Sequence, residues 1–264
     1  ERLVLAAKTA MTDIFLDRDI SGLCAAPYRR SHAGGCGLSV EGLPPLLIPP
    51  LPAPFVGGDI SAGLLRLLAD GLPRPLLLAD LGTNGELALV DAQGRLWLAS
   101  VPLGPALEGI GPQCGRMAGP GSITRFEVSP LGLSCHSVDG PLAAGADVQG
   151  ISATGYLSLL ALLLRLGCLD ADGHFRTPAS PLARRVAPPP RQSGTGLCLP
   201  LPYGQWLAAA DVEELLKVKA AFSQALEALL RAAGLAASDV ACLALAGALM
   251  TGCWGKDDSS SSSS

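Results

Sequence analysis

Leu76 to Val90, LLLADLGTNGELALV, constrains the fold more than any other stretch of this chain. Leu76–Ala79 is a continuous apolar run of strand length, Leu87–Val90 is another, and turn residues separate them, so the pattern predicts a buried β-hairpin. Gly82 and Gly85 lack a Cβ and accept positive φ, which lets backbone N–H groups turn toward an anion. Thr83 adds a hydroxyl and Asn84 an amide. Asp80 ends the first strand, where its carboxylate can hold magnesium directly or through water; that ion reaches proteins through one or two carboxylates plus substrate phosphates. A tight turn without a ligand satisfies the same residues, and a phosphate-gripping tip is the functional alternative.

At 264 residues the chain can form one large domain or two small lobes with a full core. Only 16% of its residues are charged and its mean hydropathy is +0.39, which implies extensive burial, an obligate interface or a surface meant for a partner. The longest apolar run, Tyr156–Leu169, carries Arg165 and falls short of the ~20 residues of a spanning helix, so no membrane association is expected. A net charge of -4 and three tyrosines and three tryptophans give neither a basic face nor a stacking platform, which argues against nucleic acid. The eight cysteines are scattered without a C-x-x-C pair, a usage that suits a reducing cytoplasm and leaves no ligand set for an iron–sulfur cluster. No signal peptide is expected at the N-terminus, and a start at Glu1 hints at a processed or excised segment.

Read along the chain, Leu3–Ala7 is expected as a strand and Ala10–Asp19 as a short helix. A proline- and glycine-rich connection follows from Ala25 to Pro54, with Leu46–Ile48 as a short strand. Gly57–Asp70 is expected as a helix started by Asp59 or Ser61. Asp91–Gly94 then forms a turn into a third strand, Arg95–Ser100, completing a meander over residues 76–100. Arg125–Val128 and Leu131–Val138 read as strands. Gly150, Ser152 and Gly155 precede an apolar helix near 154–168, where small residues serve helix packing or the close approach of a ligand. Pro178–Pro202 reads as a proline-rich surface excursion. Asp211 with Glu214 reads as a capping box opening a helix that Gly234 closes. Val240–Ala246 reads as a buried strand, and the serine tail as disordered.

Four of these segments, in this order, carry a resemblance: DLGTNGE, GPALEGIGPQCGRMAGPGSI, GISATGYLSLLALLLRLGCLDADGHF and DVEELLKVKAAFSQALEALLRAAGLAASDVACLALAGAL. Together they resemble the C-terminal nucleotide-binding domain of the reductive activators of corrinoid proteins, in the acetate and sugar kinase, heat-shock chaperone and actin superfamily. The resemblance implies an α/β fold, an actin-like ATPase (ribonuclease H-like) lobe of mixed sheet flanked by helices, with a truncated first lobe. Residues 1–54 would be the remnant of that lobe and its connection, 55–255 the nucleotide-binding lobe and 256–264 the tail.

By the same resemblance, Asp80, Gly82, Thr83, Asn84 and Gly85 would face phosphate and magnesium, with Asp80 as metal ligand and catalytic carboxylate. Gly247 would mark the adenosine motif, Lys219 the helix bordering the ribose, and Glu108 the carboxylate that orients water or metal. Each has a plainer role available: an exposed lysine, a helix-start carboxylate. ATP and Mg2+ are the implied cofactors, with ATP hydrolysis driving an electron onto the cobalt of a corrinoid partner. Three departures qualify this, one being that the glycine-rich connecting segment that follows LAGAL in relatives has no counterpart here. The first phosphate loop has no counterpart here, and the connecting segment LAAKTAM has Ala7 and Lys8 where relatives have glycine and asparagine. ATPase-like activity is therefore expected only with the missing parts of the site. The alternatives are a degenerate module that binds protein without hydrolysing ATP and a small-molecule kinase relative. An N-terminal strand without a partner and the high apolar content also suggest a homo-oligomer.

Overall fold

A computed structural model describes residues 2–82, 84–103, 111–194 and 196–247. The first part of the chain gives β1 (Leu3–Val4), α1 (Thr9–Phe15), α2 (Ser21–Cys24), β2 (Cys36–Leu38), β3 (Leu46–Ile48) and α3 (Gly58–Ala69). The meander follows as β4 (Leu76–Leu81), β5 (Asn84–Val90) and β6 (Leu96–Pro102). Next come β7 (Ser122–Ile123), β8 (Arg125–Ser129), β9 (Gly132–Ser137), β10 (Gly140–Pro141), β11 (Gly150–Ile151) and α4 (Ala153–Arg165). The last elements are α5 (Pro181–Val186), β12 (Arg191–Ser193), β13 (Gly196–Pro200), β14 (Trp206–Ala208), α6 (Ala209–Ala233) and β15 (Cys242–Ala246).

The described residues of 1–80, 85–101 and 224–245 form one compact unit, and those of 81–84, 102–223 and 246–264 another. The N-terminal segment expected as a first-lobe remnant lies in the unit that holds most of the meander. The meander itself belongs to a four-stranded sheet in the order β15-β4-β5-β6. Leu76–Ala79 on β4 and Gly85–Val90 on β5 are buried at consecutive positions. Both faces are covered, which is why these strands read as apolar runs rather than as an alternation. The turn from β5 to β6 is locked by Asp91, whose carboxylate accepts from the backbone N–H groups of Gln93 (3.0 Å) and Arg95 (2.9 Å), Arg95 Nε (2.7 Å) and Trp97 Nε1 (3.2 Å).

In the second unit β8 and β9 form an antiparallel pair from Arg125↔His136 to Ser129↔Gly132, β10 extends it, and β7 pairs in parallel with β11. Helix α4 starts at Ser152, whose hydroxyl accepts from the Gly155 N–H. Its Tyr156, Leu159, Leu162 and Leu163 enter the core of the unit. A Cβ on Gly155 would stand 2.3 Å from Ile123 O and 2.8 Å from Ile151 Cγ2. Gly155, in the first turn of α4, therefore serves the approach of the helix to β7 and β11.

Several expectations are corrected. The strand at 3–7 is only Leu3–Val4, and it pairs in parallel with Leu46 and Leu47. The first helix ends at Phe15, where Asp17 turns the chain with φ of 50°. Cys36–Leu38, inside the expected irregular connection, pairs antiparallel with β3. Gly85 is a buried residue of β5, so extended pairing has claimed it instead of the turn. The proline-rich stretch 178–202 is not an excursion: Ser180 caps α5 with Pro181 in its first turn, β12 and β13 pair as a hairpin, and Val186 and Leu199 are buried. Proline suits a helix start, so its abundance concealed an element. Helix α6 begins at Ala209, not Asp211. Asp211 sits in the first turn and accepts from the N–H of Ala208 at 3.0 Å, while Glu214 pairs with Lys217.

Two outcomes follow from this packing. Gly155→Ala is expected to destabilise the chain by about 1–3 kcal/mol, since the new methyl meets backbone; urea denaturation measures it. For Asp91, burial opposes ionisation, but the hydrogen bonds from Arg95 and Trp97 outweigh it and hold the carboxyl down at about 2 against an ordinary 3.8. Its contribution is present above the ordinary carboxylate pKa and is lost as pH falls through about 2. Acid unfolding of Asp91→Asn should lack that part of the pH dependence.

Candidate functional site

The site begins with a charge in an apolar strand. Glu86 lies on β5 between buried neighbours and is 1% exposed. An isolated ionised carboxylate at such a depth is strongly disfavoured, so it needs a hydrogen-bonded counter-charge. Lys8 provides one. Its Nζ donates to Glu86 Oε1, and its side chain is one-third exposed at 32%.

Delivery of Lys8 depends on glycine. Lys8 is the N-cap residue of α1, and Gly57 is that of α3. A Cβ on Gly57 would stand 2.3 Å from Ala7 O, 2.5 Å from Lys8 Cα and 2.7 Å from Thr9 N. Only a residue without a side chain allows the two backbones to meet this closely. The Gly58 N–H then donates to Ala7 O at 2.8 Å. Fully buried Thr9 donates from its hydroxyl to Ala53 O at 2.8 Å, and Thr12 donates to Lys8 O at 3.1 Å. The backbone of Lys8 is thereby fixed before its side chain reaches the sheet.

Asp80 on β4 and Asp59 in the first turn of α3 complete the electrostatic group. Burial pushes the Asp80 carboxyl above the ordinary range, the Lys8 charge opposes this, and Asp59 adds to it. Glu86 is also raised, again chiefly by burial; its hydrogen bond and attraction to Lys8 work the other way, and Asp80 and Asp59 reinforce the rise. These carboxyls therefore share one positive partner. By contrast, Asp170, Asp172 and His174 lie close enough to share a metal ion. The Asp170 carboxylate is already taken by the N–H groups of Asp172 and His174 and by Arg176, which makes a turn.

Of the residues expected at the site, the structure places Asp80 beside this group. The Gly82 N–H donates to Asn84 O at 3.0 Å across the hairpin tip, and Asn84 opens β5. Lys219 is exposed on α6, and Gly247 follows β15 with φ of 98°. Thr83 and Glu108 lie outside the described residues. From sequence Asp59 was expected only as a helix start, Lys8 only as a departure from the family pattern, and Glu86 had no role, although a glutamate inside an apolar strand is itself a signal.

Magnesium takes oxygen ligands, and the carboxylates of Asp59, Asp80 and Glu86 have the right chemistry. The ammonium on Glu86 does not, because a divalent ion at that oxygen would face a positive charge at hydrogen-bond distance. With Lys8 in this position the residues do not fit a divalent ion.

Comparison with known proteins gives this geometry its family. The profile described as the C-terminal domain of RACo, the ASKHA domain, matches residues 74–252. The chain belongs to that family, and its fold is the actin-like α/β fold. It is 33% identical over 183 residues to the corrinoid activation enzyme RamQ of Eubacterium limosum, covering 65% of this chain and 29% of that protein. It is 31% identical over 144 residues to the [Co(II) methylated amine-specific corrinoid protein] reductase of Methanosarcina barkeri, covering 47% of this chain and 26% of the relative. A solved reductive activator for corrinoid,iron-sulfur protein superposes with a TM-score of 0.72 at 27% identity, over 94% of this chain and 40% of that one. The chain thus spans well under half the length of each relative. No helix among the described residues is long and apolar enough to cross a membrane.

The shared counter-charge gives a direct expectation. Lys8→Met should raise the pKa of both Asp80 and Glu86 further, read by carboxyl 13C titration. In the wild type both carboxyls keep protons to higher pH in the folded chain than in the unfolded one. The folded state then binds more protons from the ordinary carboxylate range up to the raised one, and the pair's contribution to stability falls as pH rises through that window.

Proposed function

We propose that this chain is the nucleotide-binding domain of a corrinoid-activator-like protein, supporting ATP-dependent reductive activation of a corrinoid protein. The observation that carries the reading is the convergence of Asp80, Glu86 and Lys8 on the hairpin inside the family match. Carboxyls raised by burial and held by one specific partner are a mark of functional sites. Membership of the ASKHA family supports nucleotide as the ligand, and the names of the relatives support a corrinoid protein as the partner.

In this reading the hairpin tip, with Gly82, Thr83 and Asn84, receives phosphate through a hydroxyl and an amide. Gly247 borders the adenosine, Lys219 the ribose, and Glu108 orients water. The electron comes from a segment or protein other than the described residues. A second reading is a member that binds its partner without hydrolysing ATP. It is favoured by one observation, the lysine seated on Glu86.

Calorimetry with ATP on the full chain tests the proposal. Weak binding is expected, and Thr83→Ala should weaken it by about 1–3 kcal/mol, the range for hydrogen bonds to charged groups. Absence of heat at millimolar nucleotide would reject it.

A further inference from the structure

Glu86 and Lys8 do more than satisfy each other. Resting on the reading of this group as the phosphate side of a nucleotide site, we infer that the Lys8 ammonium is the resident cation of the site. It holds the place against Glu86 and Asp80 that a divalent metal would take, so the wild-type chain carries no protein-bound divalent ion there.

Three observations support this. The lysine is delivered by construction, because Gly57 admits the Ala7–Thr9 backbone at 2.3–2.7 Å from where a Cβ would be, and the hydroxyls of Thr9 and Thr12 secure the same turn. Its target is 1% exposed, so Glu86 stays ionised only while a cation stands against it, whichever one supplies it. The surrounding charge is in excess, with Asp59 and Asp80 acting on Glu86 in addition to its partner, so removal of the ammonium takes away the one cation that acts on Glu86 among the described residues. A divalent ion and Lys8 cannot share this place, since two positive charges would then meet in a partly desolvated region. The lysine stem is flexible, but its backbone is not, which makes the ammonium the default occupant.

A purely structural ion pair predicts that loss of Lys8 costs stability and nothing else. A resident cation predicts that loss of Lys8 creates a metal site. The two are separated by Mn2+ binding to the full chain, read from the decrease of the free-ion EPR signal. Wild type is expected to take up no Mn2+ at this group, and Lys8→Gln to gain affinity by at least about tenfold, as removal of a neighbouring like charge requires. Adding Asp80→Asn to Lys8→Gln should abolish the gain. Wild-type uptake equal to that of Lys8→Gln and abolished by Asp80→Asn would overturn the inference, and so would a folded Lys8→Gln that takes up none. If Lys8→Gln does not fold alone, it is refolded with and without Mn2+. Rescue by the ion supports a cation site, and failure of rescue, repeated with Lys8→Ser, rejects it. A fluorescent ATP analogue on the same samples tests the parent reading separately. No nucleotide binding with the Mn2+ pattern intact rejects the nucleotide site and leaves the role of Lys8 standing.

Discussion

A carboxylate on a strand covered on both faces has to be answered by a positive charge or surrender its own, and Glu86 is answered by Lys8. That requirement reaches well beyond the pair. To put the ammonium on β5, the turn at Ala7–Thr9 must lie against the start of α3, and that contact exists because residue 57 is glycine. The contact in turn sets the beginning of α1 and buries Thr9, Thr12 and Asp13 on its inner face. The Ala7–Thr9 turn is thus tied to β5 by an ion pair and to the start of α3 by a glycine.

The chain buries several acids and answers each differently, which is what distinguishes the site. Asp211 is met by backbone N–H groups of Gln113 and Ala208. Asp91 is met by a guanidinium, an indole and turn amides, and is held far below its ordinary pKa. In both, each carboxylate oxygen has a hydrogen-bond donor. Asp80 and Glu86 are raised instead, because burial exceeds what a single ammonium returns. Unfinished compensation of this kind is costly for stability and useful for binding, since an incoming charged ligand changes the balance. Glycine close to backbone, by comparison, carries no such meaning alone. Gly155 makes an approach as tight as that of Gly57 and serves only the packing of α4.

Much of the fold was legible in the sequence where burial or capping leaves a local mark. The β4–β5–β6 meander, α3 and α4 follow from apolar runs and turn residues, and the four ordered motifs identified the family that the profile match shows. β15 is a strand as expected but not a buried one, since its positions alternate between half-buried and exposed at the end of the sheet order. What was missed has physical reasons. β2 is three residues of Cys, Gly and Leu whose strand character comes from pairing with β3, a partner ten residues away that no local pattern specifies. α5 and the β12–β13 hairpin were hidden by prolines that in fact sit at a helix start and at a strand end. Of the candidate site, Asp80 and the hairpin tip were legible because the turn chemistry is local. Lys8 and Asp59 were not, because their roles come from segments separated from Glu86 by 78 positions in one case and a whole helix in the other.

The boundary of the family match sharpens this point. The profile begins at residue 74 and includes Asp80 and Glu86, whereas Lys8, Gly57 and Asp59 all precede it. The acidic hairpin is therefore a property of the family region, and the cation that answers it is supplied by a part of the chain the profile does not reach. Charge balance at a site is set by every group within a few ångströms, not by the strand that names the family. Two chains can then share the hairpin and its turn and still differ in what stands against the glutamate, and in this chain that counter-charge comes from the N-terminal segment.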